Sequence, residues 1–89
     1  APTGIYLHDN NPANREFRLW IDNIVDYHLE IFNRNGERVF ATDKIEETWD
    51  CTYKGKTVQQ GVYVWKVVYR HNDAPNREEM QTGSFMIYN

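Results

Sequence analysis

Three histidines, one cysteine and thirteen carboxylates are the first groups to test for chemistry in this chain of 89 residues. His8, His28 and His71 fall in a loop, a strand pattern and a distant loop. No pair has the spacing of metal ligands on one strand or one helix face, so all three read as solvated side chains. Cys51 has no second cysteine for a disulfide or a C-x-x-C motif, and no His and acid stand beside it at an interpretable spacing. It reads as a small, partly buried thiol beside Trp49. The acidic run Asp43, Glu46, Glu47 and Asp50 invites a reading as paired carboxylates. A domain this small offers no cleft to raise a carboxylate pKa, and a solvated loop fits better. Asp9, Asn10, Asn11 and Asn14 are oxygen donors for a calcium ion by type. They lack the spacing and bidentate Glu of an EF-hand and read as an Asx-rich turn. No nucleophile elbow, dinucleotide fingerprint or phosphate loop is present. The expectation is no catalytic residue, no metal and no cofactor.

Aromatic side chains offer binding chemistry instead. Trp20 lies between Arg18 and Asp22 on the polar side of its alternation, and Trp65 and Tyr69 share one face of a long strand pattern. Exposed together, Trp20, Trp65 and Tyr69 would form a platform for stacking on sugar rings. Core filling is the commoner use of such rings in a small β domain.

The elements that must position these residues are strands. Seven Val and six Ile stand against three Leu and four Ala, a bias toward pleated surfaces rather than helices. No window holds a 3.6-residue period, whereas alternation with period two recurs. Strand patterns span residues 5–8, 17–21, 27–33, 37–42, 49–57 (with a turn at Lys54-Gly55), 61–70 and 80–88. Asn-rich residues 8–16, the connection 22–26, the acidic loop 43–48 and the polar stretch 71–79 with Pro75 separate them. Asn35-Gly36, between two strand patterns, is the strongest hairpin signal. About seven short strands with regular turns predict an all-β, Ig-like antiparallel sandwich forming a single domain over residues 1–89. Alternation predicts that Phe17, Leu19, Leu29, Ile31, Tyr63, Trp65, Val67 and Phe85 fill its core. The final pattern reaches Asn89, which reads as a natural chain end, and no signal peptide opens the sequence.

Size and charge exclude several classes. A mass of 10.6 kDa predicts roughly 5,500 Å² of folded surface and about two-thirds of the unfolded surface buried. That supports one modest core and no inter-domain catalytic cleft. Mean hydropathy of -0.78 and 40% hydrophobic residues leave no run long enough for a spanning helix. The 15% aromatic content argues against disorder. A net charge of -3 argues against a nucleic-acid surface.

Four stretches taken together carry a resemblance: LEIFNRNGERVF at 29–40, TWDCTYKGKTV at 48–58, QGVYVWKVVYR at 60–70 and TGSFMIYN at 82–89. They resemble the gliding-motility-associated C-terminal domain of Bacteroidetes, also known as the type B sorting domain of the type IX secretion system. The matching motif positions are Asn35, Gly36, Trp49, Asp50, Gly55, Gly61, Tyr63 and Gly83. Their expected roles are structural: turns at the glycines, a core cap at Trp49, and a tyrosine corner at Tyr63 that returns its hydroxyl to nearby backbone. Where the family has Gly after Trp-Asp, this chain has Cys51, and its opening stretch IYLHDNNPANREF keeps only the Asn-rich turn and Phe17. The resemblance implies an exported, non-catalytic sorting domain whose partners are type IX secretion components, with passage through the periplasm to the outer-membrane surface or the extracellular space. A carbohydrate-binding or adhesive module and a structural Ig-like domain of a cell-envelope assembly are the alternatives. The sequence leaves the oligomeric state open.

Overall fold

Val-, Ile- and Tyr-rich segments pair into one five-stranded sheet in the computed structural model, which describes residues 2–89. The first residue of the expected domain, Ala1, lies outside the described residues. The strands are β1 (Gly4–Tyr6), β2 (Ile24–Phe32), β3 (Arg38–Thr42), β4 (Thr52–Tyr53), β5 (Lys56–Thr57), β6 (Gly61–His71) and β7 (Ala74–Tyr88). The large sheet has the order β1-β7-β6-β2-β3, and β4-β5 form a separate two-stranded ribbon.

Three of the four pairings in the large sheet are antiparallel. The fourth is a correction to the all-antiparallel expectation: β1 runs parallel to β7, with Ile5 opposite Ile87. The two ends of the described chain thus lie side by side. Leu7 N–H donates to the Tyr88 carbonyl and Met86 N–H to the Thr3 carbonyl, each at 3.0 Å.

The alternation GVYVWKVVYR does what its period dictates. Tyr63, Trp65, Val67 and Tyr69 of β6 face inward with Tyr27, Leu29 and Ile31 of β2 and Phe85 and Ile87 of β7, all buried. A second layer covers this face. It consists of residues 15–21, the 43–51 segment and the β4-β5 ribbon, and it buries Phe17, Leu19, Trp49 and Cys51. All eight residues expected in the core are there. Aromatic rings dominate it: Phe17 lies 4.7 Å from Phe85, and Trp49 lies 5.8 Å from Tyr63. Offset ring pairs of this kind add about 0.5–1.5 kcal/mol each beyond their buried area.

Three local expectations are corrected. Residues 17–21 are no strand; they make a single antiparallel bridge, Phe17 to Trp49. Their alternation reports which side chains are buried, and side-chain burial rather than a ladder holds the segment in place. Polar residues 71–79 are not a loop, because β6 and β7 continue almost to a tight turn at Asn72-Asp73. That end of the hairpin projects past the covering layer, so both faces meet water and no alternation is required. The accessible surface is 6008 Å², above the roughly 5,500 Å² expected for this mass, as suits a molecule 41 × 28 × 21 Å in extent. Lastly, β2 begins at Ile24 through a bulge in which Asp26 takes φ 54°.

The two glycine turns differ in conformation. Asn35-Gly36 does join two paired strands, β2 and β3, and of its two residues only Gly36 takes positive φ, at 80°. Asn33 organises this turn: its Oδ1 accepts from the backbone N–H of Asn35 and Glu37 at 3.0 Å. The two-residue turn with both central residues at positive φ is Lys54-Gly55, at 53° and 80°, closing the ribbon between Tyr53 and Lys56.

Candidate functional site

The candidate sugar platform does not assemble. Trp65 and Tyr69 point into the core at 9% and 4% exposure, while Trp20 is 75% exposed in the covering layer. Odd-numbered residues of β6 face inward, so neither Trp65 nor Tyr69 can present a ring to solvent. Trp65 lies across the ladder from Gly83, and a Cβ at Gly83 would stand 2.6 Å from two indole carbons. Gly83 is therefore the gap that Trp65 fills. Tyr69 accepts a hydrogen bond from the Gln81 amide at 2.8 Å. Trp20 carries the Arg18 guanidinium over its ring at 4.0 Å, which occupies one face with a cation.

The calcium candidates serve turns. The Asp9 carboxylate accepts from Asn11 N–H at 2.7 Å, and Asn11 Oδ1 accepts from Ala13 N–H at 3.1 Å. Asn11 thereby caps a short 3₁₀ turn, Pro12–Asn14. Residues 10–14 are exposed, while Asp9 is half-buried. No cluster of three His, Cys, Asp or Glu side chains is placed to share a metal ion among the described residues.

The acidic run is dispersed among local partners. Asp43 bonds His28 Nδ1 at 2.6 Å, Glu47 accepts from the Thr42 hydroxyl, and Asp50 accepts from Thr52 N–H and its hydroxyl at 3.1 and 2.6 Å. The other two histidines have separate partners: His8 bonds the Asn89 side chain across the β1-β7 pairing, and His71 packs edge-on to Tyr69. Cys51 is wholly buried. Burial, then the charges of Asp50 and Glu16, push its thiol up to about 12, so the thiolate is scarce at neutral pH. Its φ of 64° explains why the resembling family favours Gly at this position.

The remaining motif positions form the frame. Trp49 is 2% exposed and donates from Nε1 to the Thr52 carbonyl at 3.0 Å. Tyr63 donates its hydroxyl to the Gln59 carbonyl at 2.7 Å, the geometry of a tyrosine corner. Gly61 enters β6 at φ 145°, which L side chains rarely adopt. One framing residue carried no motif signal. Asn23, at φ 58°, accepts from Asn72 N–H at 2.9 Å and donates to Asp73 at 3.1 Å, pinning the β6-β7 tip. The only sequence hint was its type, since Asn tolerates the left-handed region.

The outer face of the sheet carries most of the exposed large hydrophobic side chains. It exposes Tyr6 and Tyr88, stacked at 5.0 Å, with Val62, Val64 and Met80. Val62 lies opposite Met86 and Val68 opposite Met80 across the β6-β7 ladder. Lys66, opposite Thr82, separates Val62 and Val64 from Val68 and Met80, and further charges flank them. Arg38 pairs with Glu30 at 3.2 Å, and Arg70 reaches Asp26 and Glu78 at 3.7 Å. No helix of the described residues is long and apolar enough to cross a membrane.

Comparison with known families adds one finding. The family model described as CHU_C type IX secretion signal domain matches residues 4–87. That span runs from the first residue of β1 to within one residue of the end of β7. Searches of curated proteins and of solved structures give no match.

Proposed function

Since the chain belongs to the family of type IX secretion signal domains, we propose that its folded surface is the address read by the secretion machinery, with no catalytic step of its own. The family is a sorting domain that directs export to the cell surface or extracellular space. The finer reading is a single folding unit over residues 1–89. It is recognised by type IX components in the periplasm or at the outer membrane, without nucleic-acid binding or membrane insertion.

The observation that carries this reading is the extent of the match. It spans all seven strands, so what is shared is a whole fold and not a short peptide. A receptor for unrelated cargos needs a feature that travels with the domain. The exposed side of β6 and β7 presents two small apolar patches, Val62 and Val64 near β1 and Met80 beside Val68, separated by Lys66 and Thr82, a mixture of apolar and polar groups that a protein partner can match. The buried thiol, the dispersed carboxylates and the separated histidines favour the non-catalytic reading.

The test is a fusion of signal peptide, reporter and this domain in a host with a working type IX system. Reporter in the medium or on the cell surface supports the proposal. Reporter held in the periplasm, while an established sorting domain exports it, returns the domain to a structural role in the envelope.

A further inference from the structure

Two connections of the chain enclose a groove at the end of the sheet where β6 begins. Its walls are the Asn33–Glu37 turn between β2 and β3 and the segment 56–62 that leads from β5 into β6, and it holds about 340 Å³. Ligand pockets measure roughly 300–1,000 Å³, so a short segment fits here and a bulky group does not. Val39 and Tyr63 line it from the core side. Leu7, His8 and Asn89, from the two ends of the described chain, line a separate hollow with Glu16 and Asp50.

The charge at this groove runs against that of the chain. The protein carries a net charge of -3, yet Arg34 and Lys56 line the groove against the single carboxylate of Glu37. Glu37 is held by other partners: its oxygens accept from the Asn33 amide at 3.0 Å and from the Tyr53 hydroxyl at 3.4 Å. Arg38, Arg70 and Arg77 all pair with carboxylates, whereas Arg34, Lys54 and Lys56 pair with none among the described residues. Lys54 lies instead over the Tyr53 ring, its Nζ 5.2 Å from the centroid, which sets a third cation beside the groove.

We infer that this groove binds an acidic peptide segment, and that the segment belongs to the protein that reads the domain for export. Unpaired cations gathered at one place on an otherwise acidic surface attract and orient carboxylates. A sugar acid brings the same carboxylate, but a sugar is held best by stacking on an aromatic face, and neither ring here has one free. Tyr63 is buried and gives its hydroxyl to Gln59, while Tyr53 packs on the core beneath Lys54. A peptide also brings apolar side chains next to its carboxylates. Val62 matches them, because it lines the groove and belongs to the exposed apolar patch on the outer face of the sheet. One protein partner therefore covers both. The inference rests on the sorting function proposed above and names a place of contact and the charge of what fits it.

Hexaglutamate titrated into the isotope-labelled domain, followed by amide chemical shifts, is the first arm of the test. Saturable shifts are expected at Arg34, Lys56 and Gly61. Arg34→Glu with Lys56→Glu, both at exposed positions, is expected to weaken this binding about tenfold, within the roughly 2–30-fold that two exposed ion pairs supply. Lys44→Glu with Arg77→Glu changes the net charge equally, away from the groove, and is expected to leave binding unchanged. No saturable shift at the groove, or an equal loss in both double variants, overturns the inference. Binding of oligogalacturonate there in place of hexaglutamate overturns the choice of a peptide. The second arm places the same variants, checked by circular dichroism, in the reporter fusion. Export is expected to fall about tenfold for the groove variant and to persist for the control. If the reversed variant does not fold, Arg34→Gln with Lys56→Gln removes the charges alone, and a smaller fall in the same direction is expected. Wild-type-level export by a folded groove variant overturns the inference and leaves the sorting function standing. If the wild-type fusion itself stays in the periplasm, the sorting function fails and this inference fails with it.

Discussion

Gly83→Ala tests the packing of β7 against β6 at its tightest point. The new Cβ would sit 2.6 Å from Cε2 and Cζ2 of Trp65 and 2.7 Å from its Nε1. The indole cannot yield easily, because it is buried and lies 6.4 Å from the Phe17 ring. Forcing one extra methyl into a filled core costs about 1–3 kcal/mol. Replacing Gly by Ala also restricts the unfolded chain, which returns about 0.4–1 kcal/mol. The net expectation is about 1–2 kcal/mol of destabilisation, or a Tm lower by roughly 5–15 °C for a domain this size. Thermal melting followed at 222 nm and in the near-UV supplies the number. The same substitution in a Trp65→Leu background isolates the cause. With the indole gone, Gly83→Ala is expected to be neutral or stabilising by about 0.5 kcal/mol. A single variant that melts within 2 °C of wild type, on the same roughly 4–8 °C per kcal/mol scale, refutes the close fit of Trp65 over Gly83. An equal loss in both backgrounds refutes the assignment to the indole.

Two further predictions concern groups that the core holds. Burial pushes the Cys51 thiol up from 9.0 and the Tyr27 hydroxyl up from 10.0, each to about 12. A raised pKa favours the protonated folded form, so this stability is intact below pH 9 and is lost as pH rises toward 12. Melting temperature is expected to fall over that window, and Cys51→Ala to flatten the part of the fall that begins near 9; an unchanged slope contradicts this. Tyr63→Phe removes the bond to the Gln59 carbonyl and is expected to cost about 0.5–1.5 kcal/mol, read from a urea titration. A loss near zero would show that the corner contributes nothing.

How much the sequence disclosed depended on whether a side chain was buried on one side only. The Tyr63, Trp65, Val67 alternation lies between a filled core and solvent, so its facing was readable in advance. Phe17 and Leu19 alternate for the same reason, and their burial was legible although their lack of a ladder was not. The hairpin beyond Glu79 meets water on both faces, which erases the pattern and made a strand look like a loop. Pro75 reinforced that impression, yet it sits where the sheet has an open edge. The parallel β1-β7 pair brings together residues more than eighty positions apart, and nothing local encodes it. Turn chemistry misled in one respect: Asn35-Gly36 has the composition of the two-residue turn, while Lys54-Gly55 adopts it. Of the candidate site residues, Trp49 and Tyr63 return their polar atoms to nearby backbone and Gly36, Gly55 and Gly61 take positive φ, roles that follow from the geometric preferences of tryptophan, tyrosine and glycine.

The most direct measurement is export of a neutral reporter carrying this domain behind a signal peptide, scored as the ratio of extracellular to periplasmic reporter in a type IX-competent strain and in its secretion-null derivative. The account predicts extracellular reporter in the first strain and periplasmic reporter in the second. Periplasmic reporter in both, with an established sorting domain exporting the same reporter from the competent strain, would contradict it.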